Sequence, residues 1–145
     1  MLRQLLVGAV VSISNIAIHG LVMATVVQMS SRIASAKGAV LQSPRSIIVT
    51  IAMGSIVTVP VLMAAHILEV LVWSLAYAIV GAAPASADPV YFAFVNYTTL
   101  GYGDVIPVER WRLLGPMTAM NGVLMFGWST AVIFEVLRRT SGRHD

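Results

Sequence analysis

The chain is 145 residues long, 58% hydrophobic and only 10% charged, with a net charge of +3 and no cysteine. That balance lies far outside the soluble globular range and makes a lipid bilayer its natural solvent, while the missing thiols exclude disulfides and thiolate metal centres. The nine Lys and Arg residues flank apolar runs as membrane anchors do, so no nucleic-acid partner is expected.

The first apolar run, Leu5 to about Met29, is long enough for one tilted crossing, since about 20 apolar residues traverse the hydrocarbon core. Ser12, Ser14, Asn15 and His19 interrupt it. A signal peptide is the competing reading, with Ala34-Ser35-Ala36 as a cleavage pattern, but the run exceeds the roughly 7 to 15 residues of a signal core and is expected to stay. The second run, Ser46 to about Ala82, would be one helix about 55 Å long. Between Ile51 and Val72 it has no cluster of turn residues to divide it, and a bend near Pro60 would lay its first turns along the membrane surface.

Gly81 to Arg110 is different in character. "GAAPASADP" is turn chemistry, and Asp88-Pro89 offers an N-cap and first-turn pair for a short helix, Val90 to Thr98. That helix is too short to span, so it must enter the membrane part way and return as "TTLGYGD", Thr98 to Asp104. Non-helical backbone at that depth is tolerated only where it is buried in protein or lines a watery path. The last run, Trp111 to Leu137, is a spanning helix with Trp111 and Arg112 at one interface and Arg138 and Arg139 at the other; Gly115-Pro116 loosens its start.

Three crossings put the termini on opposite sides. Arg32, Lys37 and Arg45 lie between the first two runs and Arg138, Arg139 and Arg143 in the tail, so the positive-inside rule places both segments in the cytoplasm. The N-terminus and residues 83 to 110 then face outward.

A helix, a short re-entrant helix, a Gly-rich strand and a second helix form the plan by which cation channels present a ring of backbone oxygens to a dehydrated ion. Successive carbonyls point one way only if residues alternate between conformations, some of which glycine alone adopts cheaply, and this accounts for Gly101 and Gly103. Thr99-Leu100-Gly101-Tyr102-Gly103-Asp104 closely resembles the potassium-channel signature, usually TVGYGD, preceded by the same extra threonine, Thr98. The resemblance covers about residues 63 to 137, the two-helix pore of the small bacterial ion-channel family.

Together with the three apolar runs, the resemblance implies an all-α membrane protein with three transmembrane helices, a re-entrant pore helix and selectivity-filter loop between the last two, and a tetrameric pore. It divides the chain into residues 1–45, an extra helix with a cytoplasmic linker; 46–139, a pore domain with outer helix 46–82, pore helix and filter 88–104 and inner helix 111–137; and 140–145, a cytoplasmic tail. It implies that the carbonyls of Thr99, Leu100, Gly101 and Tyr102 bind K+, with Gly103 completing the filter, the Thr99 hydroxyl closing the inner end and the Tyr102 ring propping the filter open. Potassium is the permeant ion and no cofactor is expected. Independently of any family, the dipole at the end of the short helix, at Thr98, favours a cation below it.

The departures bear on rigidity. Leu100 replaces the usual valine, which alters packing but keeps the carbonyl. Tyr91 and Phe92 stand where many relatives have two tryptophans, so Tyr91 can still donate to Asp104 while Phe92 cannot donate to Tyr102. Val95 stands where some relatives carry a carboxylate paired with the filter aspartate.

On the inner helix Val123, Phe126, Gly127, Thr130 and Phe134 share a face that would line the cavity, with Phe134 as a candidate dewetting constriction; helix packing is the alternative. Gly122 and Gly127 are both candidate hinges and both candidate close-packing sites. His66 and Glu69 lie one turn apart, with His19 at similar depth. They form an intramembrane polar cluster that either senses pH or fixes helix packing. Glu135 pairs with Arg138 or Arg139, or forms a cation-concentrating ring at the inner mouth.

The first helix lacks the spaced arginines of a voltage sensor, so the channel is expected to be constitutive, gated by lipid or its own filter, or controlled by a separate regulatory protein. A homotetramer is the first partnership, because an oxygen ring needs about four filter strands, and the bilayer is the second. The expected location is a bacterial plasma membrane. An enzyme is not expected: intramembrane aspartyl proteases also carry G-x-G-D, but they need two membrane-embedded aspartates, and Asp88 lies in a Pro-rich loop. A non-selective monovalent cation channel and a regulatory subunit of a larger channel remain the alternatives. A transporter would show a repeated pair of broken helices, which is absent.

Overall fold

The computed structural model describes residues 1–37 and 44–140. The central part of the expected cytoplasmic linker, 38–43, and the end of the expected tail, 141–145, lie outside the described residues. The described residues form four α-helices and no strand: α1 (Leu2–Lys37), α2 (Pro44–Val80), α3 (Pro89–Tyr97) and α4 (Leu114–Thr140), with a 3-10 turn at Glu109–Trp111. Stretches of α1, α2 and the 109–138 segment are each long and apolar enough to cross a membrane, so the protein is an all-helical, multi-pass membrane protein.

Helix bounds differ from the sequence reading at both ends of the molecule. The first helix continues about two turns past Met29, through the basic Arg32 to Lys37, because nothing between Ser30 and Lys37 breaks a helix. The second begins at Pro44, whose missing N–H costs nothing in a first turn, and Pro60 is accommodated inside it. The last begins at Leu114, three residues later than Trp111, because Glu109–Trp111 wind as a tighter turn.

The short helix α3 begins as its sequence dictates. Asp88 is the N-cap, its side chain accepting from the Val90 N–H at 2.8 Å, with Pro89 in the first turn. Its buried residues are Phe92, Ala93, Val95 and Tyr97, and Phe92, Ala93 and Tyr97 sit in a core with Val70, Trp73 and Tyr77 of α2 and Leu114 and Met125 of α4. A second apolar cluster, Met23 and Val26 of α1, Leu62 of α2 and Val132 and Val136 of α4, closes the other end of the bundle. At the end that carries the loop, Gln4 of α1 accepts from the Leu113 N–H at 2.8 Å, and Val108 N–H donates to Ala82 carbonyl at 2.9 Å. The start of α1 and the loop between α2 and α4 therefore share one end of the molecule.

Candidate pore loop and buried polar cluster

Both α2 and α3 end in the same hydrogen-bond motif, and the comparison exposes where the chain accepts strain. After α2, Ala82 N–H reaches back to the Tyr77 carbonyl across Gly81, whose φ of +63° is the left-handed conformation glycine adopts at little cost. After α3, Leu100 N–H reaches Val95 carbonyl and Thr99 N–H reaches Asn96 carbonyl, both at 3.0 Å, with Thr99 in the left-handed position at φ +59°. A β-branched residue there costs about 1–3 kcal/mol, and such strain persists only where surrounding structure enforces it.

The left-handed residues then recur at every second position: Thr99 at +59°, Gly101 at +57° and Gly103 at +79°. The sequence reading assigned this alternation to the two glycines and missed Thr99, because threonine carries no propensity for a positive φ. A Cβ on Gly101 would meet only the Thr99 carbonyl oxygen, at an ordinary 3.8 Å. Conformation, not space, is therefore what requires glycine there.

The whole segment from Thr98 to Asp104 is exposed on the single chain, Leu100 at 52% and Tyr102 at 69%. Of the residues expected to support it, Tyr91 donates its hydroxyl to Asp104 at 2.6 Å, on the exposed side. That hydrogen bond, more than burial, pushes the Tyr91 hydroxyl above its ordinary value. The sign is that of a group with a raised folded value: the contact is complete below the usual phenol range and is lost as pH rises through the raised one. Tyr91→Phe is expected to leave the helices folded while freeing Asp104, read as a lower ratio of potassium to sodium flux. Phe92 is elsewhere. It is buried against Tyr77 of α2, ring centroids 4.8 Å apart, so within the chain it belongs to the core between helices.

The inner-helix residues Val123, Phe126, Gly127, Thr130 and Phe134 are all exposed on one side of α4, with Phe134 at 68%. Phe126 also stands edge-on to Tyr97 at 5.4 Å and against His66 at 4.7 Å. The two candidate hinge glycines separate. A Cβ at Gly122 would run into the Tyr97 carbonyl, where α4 packs on the end of α3, whereas one at Gly127 would meet nothing within 4 Å. Glu135 forms an ion pair with Arg138 at 3.0 Å; the Arg139 side chain lies outside the described residues.

The three ionisable residues singled out within the membrane come together and gather others. His19 Nδ1 lies 2.6 Å from Glu69 Oε1 and His66 Nδ1 3.3 Å from Glu69 Oε2. Tyr97, at the end of α3, donates to the same Oε2. Ser129 Oγ of α4 joins the far ring nitrogens, 3.0 Å from His66 Nε2 and 3.3 Å from His19 Nε2. Glu69, His19 and Tyr97 are completely buried. Toward the loop end, Asn15 donates to Asn121 Oδ1 at 3.0 Å and to the Glu69 carbonyl at 3.3 Å, and Trp73 donates to Asn121 Oδ1 at 2.9 Å. Sequence reading named the ionisable members and passed over Tyr97, Trp73, Asn121 and Ser129. The available signal was polar residues inside apolar helices, which are costly without partners.

Three helices long and apolar enough to span a membrane, with a short capped helix and an irregular backbone segment between the second and third, make a multi-pass membrane protein with a pore-loop plan. A family model described as ion channel matches residues 65–139, more than half of the sequence, and the chain belongs to that ion channel family. This is a family of channels and not of enzymes, and the family assignment supports passive ion conduction. No curated protein and no solved structure matches the chain.

Proposed function

We propose that the chain is a subunit of a homotetrameric potassium channel, whose filter is the backbone of Thr99-Leu100-Gly101-Tyr102-Gly103. The observation that carries this reading is the alternation of left-handed residues at Thr99, Gly101 and Gly103. Alternating hand turns successive peptide planes by opposing amounts, so that carbonyls align along one side of the strand, as a dehydrated cation requires. The bulk of the ion's solvation is then supplied by backbone, and K+ needs no cofactor.

Assembly follows from what one chain leaves uncovered. Irregular backbone at membrane depth must be covered by protein or line water, and here it is exposed together with Val123, Leu124 and Phe134 of α4. Four copies around an axis cover both and close the oxygen ring. The outer helix, filter and inner helix constitute the pore domain, and α1 with its linker is an addition to it. The charge distribution supports an orientation with the N-terminus outside and the C-terminus in the cytoplasm, and the resemblance to small bacterial channels supports a bacterial plasma membrane. A separate protein is a candidate controller of opening.

The test is flux through purified protein in liposomes, comparing potassium with sodium and adding barium as a blocker. Potassium flux well above sodium, blocked by barium and reduced at least tenfold in Gly101→Ala, is expected. The alanine would have to hold φ +57°, which disfavours the conducting backbone by about 1–2 kcal/mol per position. Equal sodium flux would make the protein a non-selective monovalent cation channel. No flux from a verified tetramer would favour a regulatory subunit.

A further inference from the structure

We propose that His19, His66 and Glu69 form a binding site for one divalent metal ion of the zinc class in each chain, with the Tyr97 hydroxyl as a fourth donor. All three side chains are buried, and one ligand atom from each lies within 4.8 Å of the others. Tyr97 Oη stands 3.0 Å from His66 Nδ1 and donates to the Glu69 carboxylate. Bonds of about 2.0–2.2 Å at tetrahedral angles set donors roughly 3.3–3.5 Å apart. The widest present separation must therefore close by somewhat over ~1 Å and the 2.6 Å contact of His19 with Glu69 must open by somewhat under ~1 Å, which rotation about χ angles supplies.

The hydrogens around Ser129 point the same way. Its oxygen touches Nε2 of both histidines, but a hydroxyl has a single proton and donates to only one of them. The other contact forms only if that ring carries its proton on Nε2, and a neutral ring protonated there has a bare lone pair on Nδ1. In this cluster both Nδ1 atoms face the Glu69 carboxylate. A lone pair against a buried carboxylate is unfavourable unless a shared proton or a metal ion lies between them. With a metal ion there, both Nδ1 atoms coordinate, both Nε2–H groups donate to the Ser129 oxygen, and each ring is fixed by its far nitrogen, as metal-bound histidines usually are.

The donor set selects the class of ion. Two imidazoles and one carboxylate suit zinc and its neighbours, whereas magnesium and calcium require mostly oxygen. Glu69 neutralises half the charge of the ion, and release of the Tyr97 proton to solvent as the ion enters would neutralise the rest, which suits a site surrounded by hydrocarbon. His66 keeps 11% of its side chain exposed, beside the partly exposed Phe126, and this is the approach for the ion. Once bound, the ion would tie α1 and α2 to Tyr97, two residues before Thr99.

The full-length chain, purified in detergent and stripped with a chelator, would be titrated with cobalt(II) as a spectroscopic stand-in for zinc. The expected result is the intense visible absorption of four-coordinate cobalt, saturating at one ion per chain and displaced by one equivalent of zinc. Ser129→Ala should keep that spectrum and weaken binding roughly 10–100-fold, and Glu69→Gln should abolish it. The wild-type titration stands even if a variant fails to fold. Absence of the visible band in the wild-type chain, the outcome if a shared proton balances the cluster instead, would overturn the proposal. So would a band unchanged in Glu69→Gln, which would put the metal elsewhere.

Discussion

Gly122→Ala is expected to abolish ion flux and lower the apparent melting temperature, whereas Gly127→Ala leaves flux nearly unchanged and raises the melting temperature slightly. The two glycines lie five residues apart on α4, and sequence treats them alike. In the structure a Cβ at Gly122 would collide with the Tyr97 carbonyl oxygen and lie 2.9 Å from its carbonyl carbon and 3.2 Å from the ring Cγ. The first two obstacles are backbone atoms at the last turn of α3, so no rotamer relieves them. Either α4 moves out or α3 shifts, at a cost of about 1–3 kcal/mol or more for overpacking a close contact. A shift of α3 is transmitted to Thr98 and Thr99 through the bonds that end the helix. Gly127 faces open space on the exposed side of α4, so alanine there adds only the gain of about 1 kcal/mol that a helix interior makes on losing glycine. Flux measured in both variants separates packing from hinging: if Gly127→Ala also silences the channel with its fold intact, bending at that position is part of opening.

How much of this was legible in advance depends on whether the physics was local. The N-terminal cap of α3 was readable because Asp88 and Pro89 act within one turn of themselves, and the glycines of the loop were readable because positive φ is a property of single residues. The contact of Tyr91 with Asp104 was readable too, once the resemblance supplied the pairing. Thr99 was not, since its left-handed backbone is imposed by the hydrogen bonds that close α3 against the preference of the residue itself. The role of Gly122 was hidden for a related reason: what makes it necessary is a carbonyl 25 residues earlier in the chain. The first helix sends Asn15 and His19 into the interior of its own chain, because an apolar helix that carries an amide and an imidazole must find partners for them away from lipid.

Those partners set the last and largest stability effect. Glu69→Ala should lower stability by about 3–5 kcal/mol, the usual cost of removing one member of a buried charged and hydrogen-bonded group. It leaves His19, His66 and Tyr97 facing the space it vacates. The companion variants should rank by the charge and the contacts each removes. His19→Ala releases Glu69 and Ser129 and His66→Ala releases Tyr97 as well, but neither removes the buried carboxylate, so both should fall below Glu69→Ala in effect. Ser129→Ala should cost only about 1–2 kcal/mol, the worth of polar contacts between helices in a membrane. Asn121→Leu tests the neighbouring half of the network, because it strands the Trp73 indole N–H and costs about 1–3 kcal/mol for one unpaired buried donor. Thermal unfolding of the purified chain in detergent, followed by loss of helical signal, gives the ranking. If Ser129→Ala proved as harmful as Glu69→Ala, the cluster would be organised around the hydroxyl of α4. The order expected here places the carboxylate of α2 at its centre, where it hydrogen-bonds both α1 through His19 and the end of α3 through Tyr97.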